Sequence, residues 1–357
     1  MMRRLAIRWF SFGVCLLLTT TALAQPKPPA WAVQPPDAFG LDSTALDRAY
    51  AHAADMAPLN SLLIARHGAL VAEQYFRGMA ARRQINIKSA SKSVLSALVG
   101  IAFAEGRLDS LDQPIADFFP DYFDESTDPR KRAITLRHLL TMTPGLETTS
   151  FGNYGAWVGS RNWVRYALDQ PMIMEPGGDA MIYSTGTTHL LSAILTKTTG
   201  MSTLAYARTR LFDPMGIRLP AWDRDPQGNY LGGNNMALTP RELLRFGQLY
   251  LDEGRYADRQ LIPAAWIHAS TRRFVTKTYR GFEYGYLWWI EDFAGYETWF
   301  AWGYGGQYVF VVPALGLVVA CTSALKGRPR GVDHNARIYD LLENYVLPAV
   351  LPEAVTR

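Results

Sequence analysis

The sequence predicts an α+β fold, in which an antiparallel β-sheet is flanked by helices and an all-helical domain is inserted between the two halves of the sheet. Strand-like apolar runs lie towards both ends of the chain, and helices and loops punctuated by proline and glycine separate them. Consecutive strands joined by short turns pair antiparallel, which predicts the type of sheet. The strand-like runs are residues 61–66, 70–76, 284–290, 297–302, 307–312 and 317–322.

The first half of the sheet begins with a helix and a hairpin. Ser43-Thr44 is a typical helix cap and predicts a helix that runs to Asp55. The first two apolar runs are separated by His67-Gly68-Ala69, which predicts a β-hairpin. A strongly apolar helix then covers residues 93–106, with Gly106 as its stop signal.

The middle of the chain has the pattern of short helices and loops. Thr143-Pro144-Gly145 and Gly200 end two of these helices, and Thr239-Pro240 is a strong cap for the helix that follows the block. The predicted helices are residues 134–142, 162–169, 187–199, 240–252 and 336–345.

The first residues of the chain predict a secretory signal. Arg3, Arg4 and Arg8 form a basic region, an apolar stretch follows, and Ala22-Leu23-Ala24 is a small-residue cleavage site. The apolar stretch is short for a membrane span, so we expect no stable span after cleavage. We therefore expect a bacterial protein that is periplasmic or secreted, with cleavage after Ala24.

The chain divides into five segments on this interpretation. The two outer parts of the folded chain form one α/β domain, and the helical domain interrupts it. The segments are a signal peptide (1–24), a proline-rich leader (25–39), the first part of the α/β domain (40–106), the helical domain (107–236) and the second part of the α/β domain (237–357).

Charge and composition exclude several classes of function. Removal of residues 1–24 lowers the formal charge from +4 to +1, so no basic stripe predicts a nucleic-acid partner. Cys321 is then the only cysteine, which excludes an intramolecular disulfide. The sequence contains no His-Glu-x-x-His, no cysteine cluster and no Gly-x-Ser-x-Gly, and its six histidines are scattered. We expect no cofactor and no metal, and the oligomeric state stays open.

The strongest chemical signal is Ser89-Ala90-Ser91-Lys92 at the start of the apolar helix. Residues three positions apart share a helix face, so Ser89 and Lys92 are expected to lie within reach of each other. A serine hydroxyl needs a base before it is a good nucleophile, and a buried lysine with a lowered pKa can be that base or can tune another one. A second match, Ser323-Ala324-Leu325-Lys326, follows a strand and precedes no apolar helix, so we interpret it as coincidence.

Two further motifs supply the other groups that such a pair needs. Tyr183 precedes the helix at 187–199 and is the candidate proton shuttle, with a pKa that a nearby ammonium lowers. Gly303 to Gly306 form a glycine-rich turn where a substrate can approach the backbone closely. The N–H groups of Ser89 and Tyr304 are the candidate oxyanion hole.

Many aromatic residues surround this glycine-rich turn. We expect most of them to fill the core between sheet and helices, and only Trp302 and Tyr304 to face a substrate. The residues concerned are Tyr284, Tyr286, Trp288, Trp289, Trp299, Trp302, Tyr304 and Tyr308.

Together these motifs resemble the serine β-lactamase and penicillin-binding superfamily, and most of all its class C-like branch of family VIII-type esterases, D-peptidases and 6-aminohexanoate-dimer hydrolases. The resemblance covers residues 40–350 and includes two framework segments, 134–146 and 232–254. It implies a β-lactamase/transpeptidase-like fold and an acyl-enzyme mechanism. Ser89 would be the nucleophile, Lys92 its base or the tuner of Tyr183, and Tyr183 the acid and base near the leaving group.

Two departures from the family pattern bear on the substrate. The third motif of β-lactamases and penicillin-binding enzymes carries a lysine that attracts the substrate carboxylate, and here the corresponding residue is Ala301. The second motif ends in Thr185 where asparagine is common. Both changes favour an uncharged ester or a simple amide over β-lactams and D-Ala-D-Ala peptides.

The sequence therefore predicts a cofactor-free serine hydrolase that cleaves carboxylic esters or small linear amides. Thr185, Trp302, Gly303 and Tyr304 are the predicted substrate-binding residues. Two alternatives stay open: a D-amino-acid peptidase or β-lactamase acting on peptidoglycan-like substrates, and a non-catalytic protein that binds cell-wall fragments.

Overall fold

The computed structural model describes residues 31–326 and 331–352. The predicted signal peptide and the first part of the proline-rich leader lie outside the described residues. The strands are β1 (Leu59–Arg66), β2 (Ala69–Tyr75), β3 (Ile85–Asn86), β4 (Ala237–Leu238), β5 (Arg255–Tyr256), β6 (Arg259–Gln260), β7 (Glu283–Tyr284), β8 (Trp289–Phe293), β9 (Tyr296–Gly303), β10 (Gln307–Val312) and β11 (Leu317–Ser323).

The helices lie before, between and after these strands. They are α1 (Ser43–Ala54), α2 (Ser91–Ala104), α3 (Leu136–Leu140), α4 (Tyr154–Val158), α5 (Trp163–Asp169), α6 (Thr185–Thr199), α7 (Thr203–Ala207), α8 (Pro240–Leu251), α9 (Ala264–Ser270) and α10 (His334–Asp340). Within the described ranges, none of the helices is long and apolar enough to cross a bilayer.

A seven-stranded antiparallel sheet confirms the predicted fold class. Its strand order is β2-β1-β11-β10-β9-β8-β7. The predicted hairpin of β1 and β2 forms, and β1 also pairs with β11, with Leu63 opposite Ala320. The two ends of the chain therefore build one sheet, and the helices α3 to α7 belong to the long connection between β2 and β7.

The apolar run at residues 284–290 was predicted as one strand, and this prediction is wrong. β7 ends at Tyr284 and β8 begins at Trp289. Leu287 between them adopts the left-handed conformation (φ +62°), and its N–H donates to the carbonyl of Leu140. Gly285 lies so close to the carbonyl of Ser270 that a Cβ would be 2.2 Å from that oxygen. Contacts with distant segments therefore break the strand.

The helix caps are partly as predicted. Asp42, and not Ser43-Thr44, caps α1, because its carboxylate accepts hydrogen bonds from the N–H groups of Thr44 and Ala45 at 2.8 and 3.1 Å. Thr239 caps α8 as predicted and forms a capping box with Glu242.

Other helix bounds differ from the predicted ones by a few residues. α3 is shorter than residues 134–142, since Thr135 caps it and Met142 is left-handed (φ +61°). The helix predicted at 336–345 is α10, followed by a π-helical stretch over Leu341–Val346. The sequence analysis did not predict α4, α7 or α9.

Most helices pack on the sheet through one large core, and Trp157, Trp163 and Leu231 form a second, small cluster. α8 lies across β1, β10 and β11, where Gly247 allows close approach: a Cβ there would lie 2.4 Å from a Val309 methyl group. α2 packs between α6, α9 and β9, so it touches both the helical segment and the sheet. Leu98 of α2, Leu190 of α6 and Phe300 of β9 belong to the same buried cluster.

Candidate active site

A short turn before α2 carries the candidate nucleophile. Lys88–Ala90 form a 3-10 turn, so Ser89 precedes the α-helix that was predicted to carry it, and Lys92 lies in the first turn of α2. The Ser91 hydroxyl donates to the carbonyl of Lys88 at 2.7 Å and ties the turn to the helix. The Lys92 Nζ lies 3.2 Å from the Ser89 Oγ.

The Lys92 amine is buried among neutral groups. Its side chain is 2% exposed, and Nζ contacts Thr185 Oγ1 at 3.2 Å and the carbonyl of Gly233 at 2.8 Å. Among the described residues it contacts no carboxylate. Burial without a counter-charge disfavours the ammonium form and lowers the pKa of Lys92 to about 7. A large fraction of this amine is therefore neutral, and able to accept a proton, at neutral pH.

Helix α6 holds the groups around this amine. Ser184 caps the helix, and Thr185 in its first turn is fixed by Ser150, whose hydroxyl accepts from the Thr185 N–H at 2.9 Å. One turn later, the Thr188 hydroxyl donates to the carbonyl of Gly232 at 2.8 Å. The helix therefore positions both Thr185 and the loop whose Gly233 carbonyl contacts Lys92.

Tyr183 lies beside the same amine. Lys92 Nζ is 5.0 Å from the centroid of the Tyr183 ring. The sequence analysis expected a nearby ammonium to lower the pKa of Tyr183, and the structure gives the opposite direction. Burial raises the pKa of the phenol above its ordinary value of 10, and a hydrogen bond with the Ser89 side chain only partly offsets this effect. The Tyr183 hydroxyl is therefore protonated over the physiological range.

The end of β9 approaches the turn that carries Ser89. Gly303 allows this contact, because a Cβ at this position would lie 2.0 Å from the carbonyl oxygen of Ile87. Gly303 pairs with Gln307, and Gly305 and Gly306 have positive φ, so the glycine-rich segment is also the tight hairpin between β9 and β10. Tyr304 at the tip of this hairpin is 64% exposed.

A cavity of about 420 Å³ opens onto Ser89. It contains five of the predicted site residues, while Lys92 and Gly303 lie directly behind it. Six of its lining residues are aromatic, one is a lysine and none is acidic. The lining residues are Lys88, Ser89, Ser150, Phe151, Tyr154, Tyr183, Thr185, Asn234, Tyr279, Trp302 and Tyr304.

The sequence analysis missed part of this wall. Phe151, at the start of a 3-10 turn, and Tyr279 are exposed aromatic residues from separate segments, and their rings contact each other and Tyr183. Asn234 lies in the framework segment that resembles the family, but its position in the cavity was not predicted. Lys88 immediately precedes the candidate nucleophile in the sequence. This adjacency was the one sequence feature that could have indicated Lys88 as a site residue.

Most of the aromatic residues named in the sequence analysis lie in the core. Tyr284, Tyr286, Trp288, Trp289 and Tyr308 are fully buried in the core, and Trp302, which is 9% exposed, lines the cavity. Trp302 also stacks on Tyr308.

The second Ser-x-x-Lys match has a different environment. Ser323 is the last residue of β11, and its hydroxyl is hydrogen-bonded to His334 Nε2 at 2.8 Å. His138 has a structural role, since its Nδ1 accepts from the N–H of Thr135 at 3.2 Å. A larger groove of about 900 Å³ is lined by Arg82, Arg208 and Arg218 among others, but contains no nucleophile beside a base.

No potential metal site of three or more His, Cys, Asp or Glu side chains occurs in the residues described.

The chain is similar to known proteins in sequence and in fold. The sequence model of the family described as Beta-lactamase matches residues 46–343. An uncharacterized protein of Alkalihalophilus pseudofirmus is 23% identical over 321 residues, which is 78% of this chain and 87% of that protein.

Several solved structures share the fold. A proposed 6-aminohexanoate-dimer hydrolase from Bacillus anthracis has a TM-score of 0.65 at 20% identity, over 92% of this chain and 89% of that chain. A penicillin-binding protein homologue from Caulobacter crescentus has a TM-score of 0.69 at 18% identity, with coverages of 89% and 99%. A family VIII carboxylesterase has a TM-score of 0.67 at 16% identity, with coverages of 87% and 98%.

Proposed function

Since this chain belongs to the Beta-lactamase family and is a serine hydrolase, we propose that it cleaves carboxylic esters or small linear amides through an acyl-enzyme on Ser89. The observation that carries the proposal is the buried Lys92 amine, 3.2 Å from the Ser89 hydroxyl and with a pKa lowered to about 7 by burial. A neutral amine at this distance is the base that a serine nucleophile requires.

In the first half of the reaction, Ser89 Oγ forms a bond to the acyl carbon and its proton passes to Lys92. Tyr183, protonated and hydrogen-bonded to Ser89, then gives its proton to the leaving oxygen or nitrogen as the bond from the acyl carbon to that atom breaks, and Tyr183 is reprotonated by Lys92. In the second half, water adds to the acyl carbon, the acid leaves and Ser89 regains its proton. The raised pKa of Tyr183 supports a role as donor rather than as first base.

The oxyanion of each tetrahedral intermediate needs hydrogen-bond donors. We assign this role to the backbone N–H groups of Ser89 and Tyr304. The close contact of Gly303 with the carbonyl of Ile87, which brings β9 to the Ser89 turn, supports this assignment. Loss of one such donor typically costs about 10²–10³ in kcat.

The third motif and the aromatic wall of the cavity support esters and linear amides. Ala301 is buried and apolar at the position where the family pattern has a lysine, so this strand offers no cation to a β-lactam carboxylate. The aromatic wall suits an apolar acyl or alcohol group. Among the similar folds are a carboxylesterase and a proposed 6-aminohexanoate-dimer hydrolase, which are examples of the two substrate classes.

We also propose that the protein acts in the periplasm or outside the cell. The signal-like residues 1–24 support this, and so does Cys321, which is buried with its pKa raised to about 12 and is thus inert in an oxidising compartment. The secreted protein should begin at Gln25, and the intact mass of the exported protein checks this. An exported protein that retains Met1 would contradict it.

Hydrolysis of p-nitrophenyl butyrate tests the acyl-enzyme. Ser89→Ala should lower kcat/KM by about 10³-fold or more, because the oxyanion site and binding alone leave little catalysis. The wild-type protein, quenched during turnover, should carry one butyryl group in its intact mass. Ser323→Ala, in the other Ser-x-x-Lys sequence, is the matched control and should retain turnover. A Ser89→Ala protein as active as the control would exclude the mechanism.

A further inference from the structure

Lys88, the residue before the nucleophile, has an unusual backbone conformation. Its φ is +52°, in the left-handed region that a residue with a side chain rarely adopts. The side chain of Asn86 holds this conformation, because its Oδ1 accepts from the Lys88 N–H at 2.8 Å. Such strain is concentrated at functional sites, where it aims a group in a direction that the relaxed chain would not give.

Lys88 is one of the residues that line the cavity opening onto Ser89. The ammonium donates to Asn235 Oδ1 at 3.1 Å, and the same oxygen accepts from Asn86 Nδ2 at 3.0 Å. The Nδ2 of Asn235 donates in turn to Asp223, which fixes the amide with its oxygen towards Lys88. The two asparagines thus hold the lysine at the wall of the cavity.

The ammonium has no counter-ion in the part of the chain that the structure describes. Its one hydrogen-bond acceptor there is the neutral Asn235 amide, and no carboxylate lies within ion-pair distance. Burial lowers the pKa of Lys88 and the field of Asp223 raises it, so the carboxylate sustains the positive charge without contacting it. A half-buried ammonium that contacts no carboxylate favours the binding of an anionic ligand.

We infer that the substrate carries a carboxylate, and that the Lys88 ammonium binds it in the cavity beside Ser89. The inference rests on the proposed hydrolase function and names its substrate class: an ester or linear amide with an apolar body and one carboxylate. The aromatic wall takes the apolar body, and no acidic side chain lines the cavity to repel the charge. It replaces the sequence-based expectation of an uncharged substrate, because Lys88 supplies the cation that Ala301 does not.

Two pairs of substrates test this inference and locate the carboxylate. p-Nitrophenyl hemisuccinate and p-nitrophenyl butyrate differ by a carboxylate on the acyl side, and p-butyryloxybenzoate and phenyl butyrate differ by one on the leaving-group side. In at least one pair, the ratio of kcat/KM for the charged over the neutral ester should fall about 10- to 100-fold in Lys88→Met, as expected for loss of a charge-assisted hydrogen bond. Lys88→Arg should preserve most of the ratio.

Lys131→Met is the matched control. Lys131 is also half-buried with its pKa lowered by burial, and it donates to the carbonyl of Leu168 at 2.7 Å, away from the cavity. Its replacement should leave the ratios unchanged. Ratios that are equal in wild type and Lys88→Met for both pairs would overturn the inference.

A binding measurement keeps the inference testable if Lys88→Met does not fold or no ester is turned over. Calorimetry with the folded Ser89→Ala protein compares phenylacetate with the neutral phenylacetamide. Tighter binding of phenylacetate by about 10-fold or more supports the carboxylate site, and equal binding overturns it. Wild-type protein that binds phenylacetate but hydrolyses no ester would contradict the proposed function and leave the anion site standing.

Discussion

At the scale of single residues, burial shifts the pKa values of the two proton-carrying side chains of the site in opposite directions. Lys92 is buried and Tyr183 is partly buried at the cavity wall. Burial penalises the charged form of each, which is the ammonium for lysine and the phenolate for tyrosine. Burial therefore lowers the pKa of Lys92 to about 7 and raises that of Tyr183. At neutral pH one is a base and the other an acid, which is the division that acyl transfer needs.

This division predicts the pH dependence of the reaction. The value of kcat/KM for p-nitrophenyl butyrate should rise as the pH passes through about 7, since only the neutral Lys92 amine can accept the Ser89 proton. It should then stay level into the alkaline range, because Tyr183 keeps its proton there. Lys92→Arg should lose about 10³-fold or more, since a guanidinium remains protonated at these values.

The profile is measured with Ser89→Ala as the blank at each pH, which removes spontaneous hydrolysis of the ester. A single inflection near the ordinary pKa of a phenol, with none near neutrality, would instead make Tyr183 the base.

At the scale of elements, α6 and the loop at Gly232 and Gly233 form a clamp around the Lys92 amine. Thr188 donates to the Gly232 carbonyl, and His189 Nδ1 accepts from the Gly232 N–H at 3.3 Å. The other ring nitrogen of His189 is bonded to Asp225 at 3.0 Å, so this buried pair fixes the tautomer that the loop requires. The Gly233 carbonyl is thereby held where Lys92 meets it.

Two glycines of this region form a matched pair for a test of the clamp. Gly233 and Gly228 both have positive φ, at +72° and +94°, so an alanine at either costs about 1–2 kcal/mol of backbone strain. At Gly233 the new Cβ would also lie 2.5 Å from Lys92 Cγ, whereas at Gly228 nothing lies within 4 Å. Gly233→Ala should therefore lower kcat by about 10-fold or more, as expected for a displaced catalytic base, while Gly228→Ala affects stability alone.

Measurement of kcat together with urea unfolding separates the two effects. Equal kcat values for the two alanine variants, at similar losses of stability, would show that the contact with Lys92 does not matter for turnover.

The elements also show which parts of this structure local sequence can predict. Thr239 and Glu242 define the start of α8 within four residues of chain, so that boundary was predictable. The run at residues 284–290 has the composition of a strand, but Leu287 bonds to Leu140 and Gly285 packs on Ser270, and no local pattern contains those partners.

The same reasoning applies to the site. Ser89 and Lys92 belong to one short motif and were predicted from it. Tyr183 and the glycine-rich turn were predicted as separate motifs, which the resemblance to the family connected. Phe151 and Tyr279 meet across the cavity from separate loops, so neither periodicity nor spacing indicates them. The direction of the pKa shift of Tyr183 was predicted wrongly for a related reason. It depends on burial by residues that come from several parts of the chain.

At the scale of the whole molecule, the sheet and the helical segment share their interior. α2 contributes Leu98 to a core that also contains Leu139 and Leu190 from the helical segment and Phe300 and Val309 from the sheet. The core therefore continues across the segment boundaries predicted at residues 106–107 and 236–237. The candidate active site lies along the same junction, with Ser89 and Lys92 from one side and Tyr183 and Thr185 from the other.

A shared core predicts that both parts unfold together, although chains of this length often unfold through intermediates. In urea, fluorescence dominated by the tryptophans and far-UV circular dichroism should give one coincident transition. Leu98→Ala should shift both signals equally and lower the free energy of unfolding by about 2–5 kcal/mol, because Leu98 is fully buried in the shared core and its helix, α2, packs on both parts. Phe151→Ala, at a 65% exposed site on the cavity rim, is the control and should change it by about 0.5 kcal/mol or less. If Leu98→Ala shifted one of two separate transitions and left the other in place, the helical segment would be an independent folding unit, and the catalytic groups would be held together by an interface rather than by a common core.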